Sequence, residues 1–293
     1  MSLLLKEINV VSSLFVLIVY CSFFCLLQIY NLTQLLTPWY YKGYAGLTKL
    51  QRVEWGNRGT STAHAIFISI MALYLIYFSD LFSDSEIDGR IMLRSSSLSV
   101  SALGVGLHSS SCVLNHSKMH WLLIGVWSRN DLLIVDALAA VSVGYFISDL
   151  GMIIWSYPSL GGMEYVVHHL LSVVSVAYSM SSGEGQIYTL MVLISEMTTP
   201  CVNLRWYLDT AGMKKSRLYL LNGIMMFFTW MVARILLFVY MYHHMYLHYD
   251  QAEGISSFGF FLVLVVPFVL AIMNLMWFRK IIKGLKRTLA KRQ

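Results

Sequence analysis

Ionisable and hydroxyl side chains recur at helical spacing inside apolar segments of this chain. In the segment MEYVVHHLLSVVSVAYSM, polar residues separated by steps of three or four share one helical face: Glu164, His168, Ser172, Ser175 and Ser179. His169 is rotated by about 100° from that face, because an α-helix has about 3.6 residues per turn. We therefore expect His168, rather than His169, to face the interior. Such a row of polar residues has two explanations. It binds a ligand or catalyses a reaction, or it forms hydrogen bonds between helices.

The next apolar segment combines a carboxylate with a proline. Glu196 shares a helical face with Thr199 and Asn203. Pro200 has no N–H, so the carbonyl of Glu196 loses its usual helical partner. A kink beside a carboxylate favours a cavity. An ion pair that holds two helices together would also explain Glu196.

Two other apolar segments supply charged partners for these groups. Asp149 follows a serine and a tyrosine on one helical face, and Arg234 lies one turn after Trp230. Ionisable groups at membrane depth cost at least about 2.5 kcal/mol each. We therefore expect Asp149 and Glu196 to neutralise Arg234 or a protonated histidine in a shared network.

The ends of the apolar segments also carry aromatic and histidine residues. In WGNRGTSTAHA, we expect Trp55 and Arg58 to contact the membrane interface and His64 to lie just inside. His244 and His248 have the spacing of two metal ligands on one helical face. No other feature supports a metal, so we predict no metal site.

The composition of the chain indicates a protein that is embedded in a lipid bilayer. Of 293 residues, 57% are apolar and 12% are charged, against roughly a quarter charged in a soluble domain. A soluble protein of this size could not bury that much apolar surface in one core. The net charge is +6, and basic residues cluster between Arg279 and Arg292. No nucleic-acid-binding module accompanies this cluster, so we expect membrane headgroups, and not nucleic acid, as its partner.

Seven segments are long and apolar enough to cross a bilayer, which takes about 20 helical residues. They are residues 8–30, 62–82, 132–155, 163–180, 186–207, 219–242 and 258–281. We predict an all-α, polytopic membrane helical bundle of about seven transmembrane helices, the first a retained signal anchor. Lysine and arginine are concentrated in the predicted loops 31–60 and 208–218 and in the tail. The loop 83–131, which also carries four basic residues, is the exception, and long loops follow the charge rule weakly. This distribution predicts a lumenal amino terminus and a cytosolic carboxyl terminus.

Several stretches resemble the TLC-domain superfamily, which includes the ceramide synthases, and most closely its TLC domain-containing protein 4 subfamily. The stretches, in chain order, are EWGNRGTSTAHA (54–65), GYFISDL (144–150), MEYVVHHLLS (163–172), ISEMTTPCVNLRWYLD (194–209), NGIMMFF (222–228), VARI (232–235) and MNLMWFRKIIKG (273–284). The resemblance implies a six-helix core around a central cavity that opens toward the cytosol, preceded by one extra helix. It also implies an endoplasmic reticulum membrane and a role in lipid handling.

The resemblance divides the chain into three parts. Residues 1–53 form an N-terminal signal-anchor helix and a cytosolic loop, residues 54–284 the TLC domain, and residues 285–293 a basic cytosolic tail. Similar proteins run from a segment like RSSSLSVSALG directly into VSVGYFISDL. We therefore interpret residues 105–140 as an insertion.

Two functions follow from these observations. In the first, the protein takes part in lipid homeostasis without catalysis and binds a lipid or acyl chain in an intramembrane cavity. Its polar lining would be His64, Asp149, His168, Glu196, Asn203 and Arg234. This hypothesis needs membrane lipids as partners and no cofactor, and it specifies no oligomeric partner.

In the second, the protein is an N-acyltransferase that uses acyl-CoA as co-substrate. The resemblance places His168 and His169 at the acyl-transfer position of ceramide synthases. A histidine suits a general base because its ordinary pKa lies near 6.5. The second His-Asp element of the ceramide-synthase motif is missing after Ser172, which favours the non-catalytic hypothesis. A proton-coupled transporter is disfavoured because no repeated pair of broken helices is visible.

Overall fold

The chain folds as a bundle of long helices, as its composition predicts. A computed structural model describes residues 2–78, 116–252 and 254–290. The elements are α1 (Ser2–Tyr40), a 3₁₀ turn (Lys42–Gly46), α2 (Lys49–Tyr77), α3 (His116–Trp155), α4 (Met163–Ser182), α5 (Gln186–Ile194), a second 3₁₀ turn (Ser195–Thr198), α6 (Thr199–Thr210), α7 (Arg217–Trp230), a π-helix (Met231–Leu236), α8 (Leu237–Leu247), α9 (Tyr249–Ala252) and α10 (Ser257–Ala290). The all-α bundle with seven long passes is confirmed, since α5 with α6, and α7 with α8, each form one pass through an irregular turn.

Within the part of the chain that the structure describes, six of the passes are long and apolar enough to cross a membrane. They are Val19–Tyr40, Lys49–Tyr77, Ile134–Trp155, Gln186–Thr210, Arg217–Leu247 and Ser257–Ala290. Helix α4 is the seventh pass, and its glutamate, histidines and serines lower its mean hydropathy. It packs between α3 and α10, so its polar face lies against protein. The chain is therefore an integral membrane protein.

The first predicted loop is much shorter than expected. Helix α1 continues to Tyr40 and α2 begins at Lys49, so the loop predicted at 31–60 is limited to residues 41–48. Two threonine hydroxyls in the extension of α1 are satisfied by their own helix. Thr33 donates to the carbonyl of Ile29 at 2.7 Å and Thr37 to that of Thr33 at 2.5 Å.

Helices α1 and α2 approach each other closely through two glycines. A Cβ atom on Gly56 would lie 2.6 Å from the ring of Tyr30, and one on Gly59 would lie 2.7 Å from Cγ2 of Thr33. Glycine at both positions lets the two helices pack at this distance. This packing holds α1 against the remainder of the bundle.

The apolar cores occupy one half of the bundle. One buried cluster contains residues of all five helices from α1 through α5, among them Ile68, Leu75 and Val143. A second joins α5, α8 and α10 and includes Met241 and Leu262. Both clusters lie on the side of the bundle that holds the connection between α4 and α5. The opposite half contains most of the buried charged groups.

The predicted insertion falls partly outside the described residues. Residues 105–115 are not described, whereas residues 116–140 belong to α3, which continues without a break to Trp155. Val135 and Leu138 of this helix are buried in the first apolar cluster. The insertion stays a prediction, and residues 134–140 are part of the packed bundle.

Candidate functional site

A cavity of about 530 Å³ lies in the charged half of the bundle. Polar side chains from six helices and the second 3₁₀ turn line it, including Asn57, Arg58, Asp149, His168, His169, Glu196 and Asn203. Its rim includes Asp209 and Lys280, whose side chains are 44% and 66% exposed. The cavity therefore reaches the surface at the end of the bundle where α2 begins and α10 ends.

An ion pair lies at the inner end of the cavity. Nη2 of Arg234 is 3.3 Å from Oε1 of Glu196. Arg234 also donates from Nε to the hydroxyl of Thr198 at 2.9 Å and from Nη1 to Oδ1 of Asn274 at 3.3 Å. Thr199 donates to the other carboxylate oxygen of Glu196 at 2.9 Å. The predicted neutralisation of Glu196 by Arg234 is thus present in the structure.

A second pair joins α3 to α4. Nε2 of His169 lies 2.6 Å from Oδ2 of Asp149, and Asn57 donates to Oδ1 of the same carboxylate at 2.7 Å. Nδ1 of His169 lies 2.9 Å from the carbonyl oxygen of Tyr165. A carbonyl only accepts, so Nδ1 carries a hydrogen, and one further proton lies between His169 and Asp149. Neither ring nitrogen of His169 is then available as a base, and the pair is neutral overall.

His168 differs from its neighbour in its hydrogen bonding. Its Nδ1 is buried and has no hydrogen-bond partner among the described residues. The ring lies edge-to-face with Trp277 at 5.6 Å and with His169 at 5.4 Å, at an interplanar angle of 83° to the latter. His168 is the histidine of the pair with a nitrogen free for a ligand.

The expectation that only His168 faces the interior is wrong, because both histidines line the cavity. Helix α4 has neighbours on both sides of the cavity. His169 turns toward Asp149 of α3, whereas His168 turns toward Trp277 of α10. A rotation of 100° between the two side chains therefore leaves both beside the same space.

Asn203 joins α6 to α2 in the cavity wall. Its Oδ1 accepts from Nη1 of Arg58 at 2.9 Å, and its Nδ2 donates to the hydroxyl of Thr62 at 2.9 Å and to the carbonyl of Arg58 at 3.1 Å. Arg58 in turn donates to Oε1 of Glu54 at 2.7 Å. This network sets the spacing of the two helices at the cavity.

Two of the predicted lining residues lie behind the cavity wall. Asp149, His168, Glu196 and Asn203 line the cavity, whereas His64 and Arg234 do not. His64 stacks on the ring of Tyr145 at 3.9 Å, and neither of its nitrogens has a partner among the described residues. Arg234 acts on the cavity through Glu196 and Thr198, which line it. Their depth in the bundle depends on helix packing, which spacing alone does not reveal.

Trp55 and Arg58 do not form the predicted membrane interface. Trp55 is 4% exposed, stacked on Tyr41 at 5.1 Å and against Tyr207 at 4.5 Å. Arg58 lines the cavity and lies over the ring of Trp206 at 4.8 Å. The loop after α1 and helix α6 cover Trp55 through aromatic rings on both sides. Arg58 is covered by α6, through Trp206 and Asn203.

Sequence reasoning missed several residues of the site: Asn57, Tyr165, Thr198, Arg205, Asn274 and Trp277. Asn274 had a detectable signal, since it is an amide in the middle of an apolar segment. Tyr165 contacts His169 through its backbone carbonyl, which every residue has, so the residue type could not indicate this contact.

His244 and His248 do not form a recognisable metal site. Their rings stack at 4.3 Å, and Nδ1 of His244 lies 3.1 Å from the hydroxyl of Tyr188. Among the residues that the structure describes, no group of three or more histidine, cysteine or acidic side chains could hold a metal ion.

A narrow crevice of about 40 Å³ lies beside the inner end of the cavity. Phe146, His168 and Glu196 line both spaces. The crevice runs between α4, α5 and α10, and its walls are mainly apolar, with Leu193 and Val263 among them. The polar cavity and the apolar crevice are thus adjacent and share part of their walls.

Glu184 lies at the far end of the crevice, in the connection between α4 and α5. Its carboxylate accepts from the hydroxyl of Tyr178 at 2.6 Å and from the hydroxyl and backbone N–H of Ser256 at 2.8 and 3.2 Å. Burial alone raises the pKa of Glu184, but these hydrogen bonds outweigh it and hold the pKa below its ordinary value. The ionised carboxylate therefore fastens this connection to the segment before α10.

Comparison with known proteins shows the family of the chain. The family model described as TRAM_LAG1_CLN8: TLC domain matches residues 54–283. The chain belongs to the TLC-domain family. Proteins of this family are membrane proteins linked to lipid metabolism. The matched TLC domain contains almost the whole cavity lining, and the resemblance noted in the sequence is confirmed.

Curated relatives carry the same domain. TLC domain-containing protein 4-B of Xenopus laevis is 26% identical over 250 residues, which is 84% of this chain and 80% of the relative. Human TLC domain-containing protein 4 is 25% identical over 246 residues, 83% of this chain and 78% of the relative. TLC domain-containing protein 4 A of Dictyostelium discoideum is 25% identical over 186 residues, 62% of this chain and 70% of the relative. No solved structure matches the chain significantly.

Proposed function

We propose that this TLC-domain protein binds a membrane lipid in its cavity and takes part in lipid handling without catalysis. The observation that carries the proposal is the cavity of about 530 Å³, in which polar groups converge between apolar walls. Volumes of about 300–1,000 Å³ with a few placed polar groups are typical of small-molecule sites.

The residues divide the work between the two ends of a lipid. The head group hydrogen-bonds to His168, whose Nδ1 lacks a protein partner. The hydrocarbon chain contacts apolar lining residues such as Phe146, Ile153 and Met226, and extends toward the apolar crevice. The ion pairs fix the spacing of the helices around this space.

We place the protein in the endoplasmic reticulum membrane, with the cavity mouth facing the cytosol. The mouth lies at the same end as Lys214, Lys215 and the basic end of α10, and basic residues favour the cytosolic side. A glycosylation acceptor placed at residues 181–185 tests this topology. It should be modified, whereas one placed at residues 211–215 should not; the reverse pattern would invert the orientation.

A cavity-filling variant tests lipid binding directly. A Cβ on Gly284, which lines the cavity, or on Gly151, which does not, meets no atom within 4 Å. Gly284→Phe should therefore obstruct the cavity, and Gly151→Phe is the matched control. Lipid that copurifies in an uncharged detergent is measured by mass spectrometry. Loss in Gly284→Phe alone supports the proposal, and equal retention in both variants and wild type refutes it.

N-acyltransfer is a second candidate, which the free nitrogen of His168 favours. An amine nitrogen would attack the thioester carbonyl of acyl-CoA and form an amide, while the thiolate of coenzyme A leaves and takes up a proton. His168 would accept the amine proton and return it to the leaving sulfur. His169 would position α4 through its pair with Asp149, since both of its nitrogens are engaged.

Incubation with acyl-CoA and a long-chain amino alcohol tests this candidate. Amide formation that is lost in His168→Ala would establish the enzyme and replace the non-catalytic proposal. Absence of amide from wild-type protein that still binds lipid would favour lipid handling alone.

A further inference from the structure

The charged groups around the inner cavity neutralise one another. Glu196 pairs with Arg234, and Asp149 pairs with His169. The pair of Asp149 and His169 is neutral wherever its shared proton lies, as the hydrogen bond to the Tyr165 carbonyl requires. Two buried pairs, one on each side of His168, therefore add no net charge.

The charges nearer the mouth follow the same pattern. Arg58 pairs with Glu54 at 2.7 Å, Lys214 with Asp209 at 2.6 Å, and Lys280 lies 3.7 Å from Glu164. Arg205 is the lining cation that has no carboxylate within 4 Å among the described residues. It is half-buried and donates to the carbonyl of Tyr219 at 2.8 Å and the hydroxyl of Thr288 at 3.1 Å, near the rim and away from His168.

A charged head group would find no counter-ion in the inner cavity. Moving an ion from water into a buried space costs several kcal/mol unless a partner of opposite charge receives it, and each charge there already has a partner. A hydroxyl or amide has a far smaller desolvation cost, which one or two hydrogen bonds offset.

We propose that the cavity selects a lipid with an uncharged, hydrogen-bonding head, of the hydroxyl or amide class, over phosphate-bearing and cationic lipids. The inference rests on the proposed lipid-binding function and names the class of ligand. His168 supplies the matching contact, because a neutral imidazole and a hydroxyl each both donate and accept.

Three lipids that share their acyl chains test the selection in the full-length protein. A fluorescent diacylglycerol is bound to the protein in an uncharged detergent, with Gly284→Phe as background. Dioleoylglycerol, dioleoylphosphatidate and the cationic dioleoyl trimethylammonium propane then compete for it. We expect dioleoylglycerol to displace the probe at a concentration at least about tenfold lower than either charged lipid.

A charge change at the inner pair tests the physical reason. Glu196→Gln preserves shape and leaves the guanidinium of Arg234, which stays protonated, without its counter-ion. This variant should shift the preference toward dioleoylphosphatidate. The double variant Glu196→Gln/Arg234→Gln should restore the preference for dioleoylglycerol. Lys286→Ala, at an exposed lysine outside the cavity lining, should leave the ranking unchanged.

The outcomes separate the two proposals. If none of the lipids displaces the probe, or if Gly284→Phe binds it as well as wild type, the lipid site itself is refuted. If dioleoylphosphatidate competes as well as dioleoylglycerol in wild type, lipid binding stands and the selection by charge is refuted. The wild-type comparison decides this even if a variant fails to fold.

Discussion

Glu196 and Arg234 pair at a level of the bundle where both of their passes depart from α-helical geometry. Glu196 lies in the 3₁₀ turn Ser195–Thr198, and Arg234 lies in the π-helix Met231–Leu236. A 3₁₀ turn tightens the backbone and a π-helix widens it, and π segments occur often at functional sites. Together the two irregular segments bring the guanidinium of Arg234 within hydrogen-bonding distance of the carboxylate of Glu196 and the hydroxyl of Thr198, at the end of the cavity.

Removing Arg234 should destabilise the protein strongly. Arg234→Met leaves the carboxylate of Glu196 buried without a cation, at a cost of about 3–5 kcal/mol. Arg234→Lys keeps the charge and should cost less. Unfolding titrations in mixed micelles measure the free energy of unfolding. Equal stability of Arg234→Met and wild type would show that the pair contributes nothing.

The two adjacent histidines should differ in their effect on stability. His169→Gln disrupts hydrogen bonds to Asp149 and to the carbonyl of Tyr165, and bonds to charged groups contribute about 1.5–3 kcal/mol. His168→Gln removes no hydrogen bond from Nδ1 and should cost less than about 1 kcal/mol. The same titrations compare the two variants. A larger loss in His168→Gln would contradict the assignment of the two roles.

The carboxylate of Glu184 should make the stability of the folded protein depend on pH. Its pKa in the folded protein lies below the ordinary value, so its contribution is complete above the unfolded pKa of about 4.3 and is lost as pH falls through the folded pKa. Between about pH 6 and pH 3, the Tm of wild type should fall more than that of Glu184→Gln. Parallel curves would show that Glu184 is not linked to folding.

The close contact of α1 with α2 should depend on glycine. Gly59→Ala brings a methyl group against Thr33 and should cost about 1–3 kcal/mol through overpacking. Gly151→Ala is the control, because a Cβ there meets open space and alanine favours a helix over glycine by about 1 kcal/mol. Thermal unfolding in detergent compares them. A stabilising Gly59→Ala would mean that α1 is not held through this contact.

Much of the architecture was predictable because it depends on local periodicity. The length of the apolar segments indicated seven helical passes, and steps of three and four identified the polar faces that carry His168, Asp149 and Glu196. Pro200 correctly indicated an irregular turn beside Glu196. Each of these conclusions needs only the geometry of a single helix.

Tertiary structure alone decided which residues meet. Nothing in the spacing of α4 assigns His169 to Asp149 and leaves His168 free. Nothing in α2 indicates that Trp206 and Tyr207 of α6 pack against Trp55. Partners depend on the rotation and depth of neighbouring helices, which result from the packing of many side chains at once. The sequence therefore determined the polar face of each helix, and the packed bundle determined that these faces enclose a cavity whose charges are already paired.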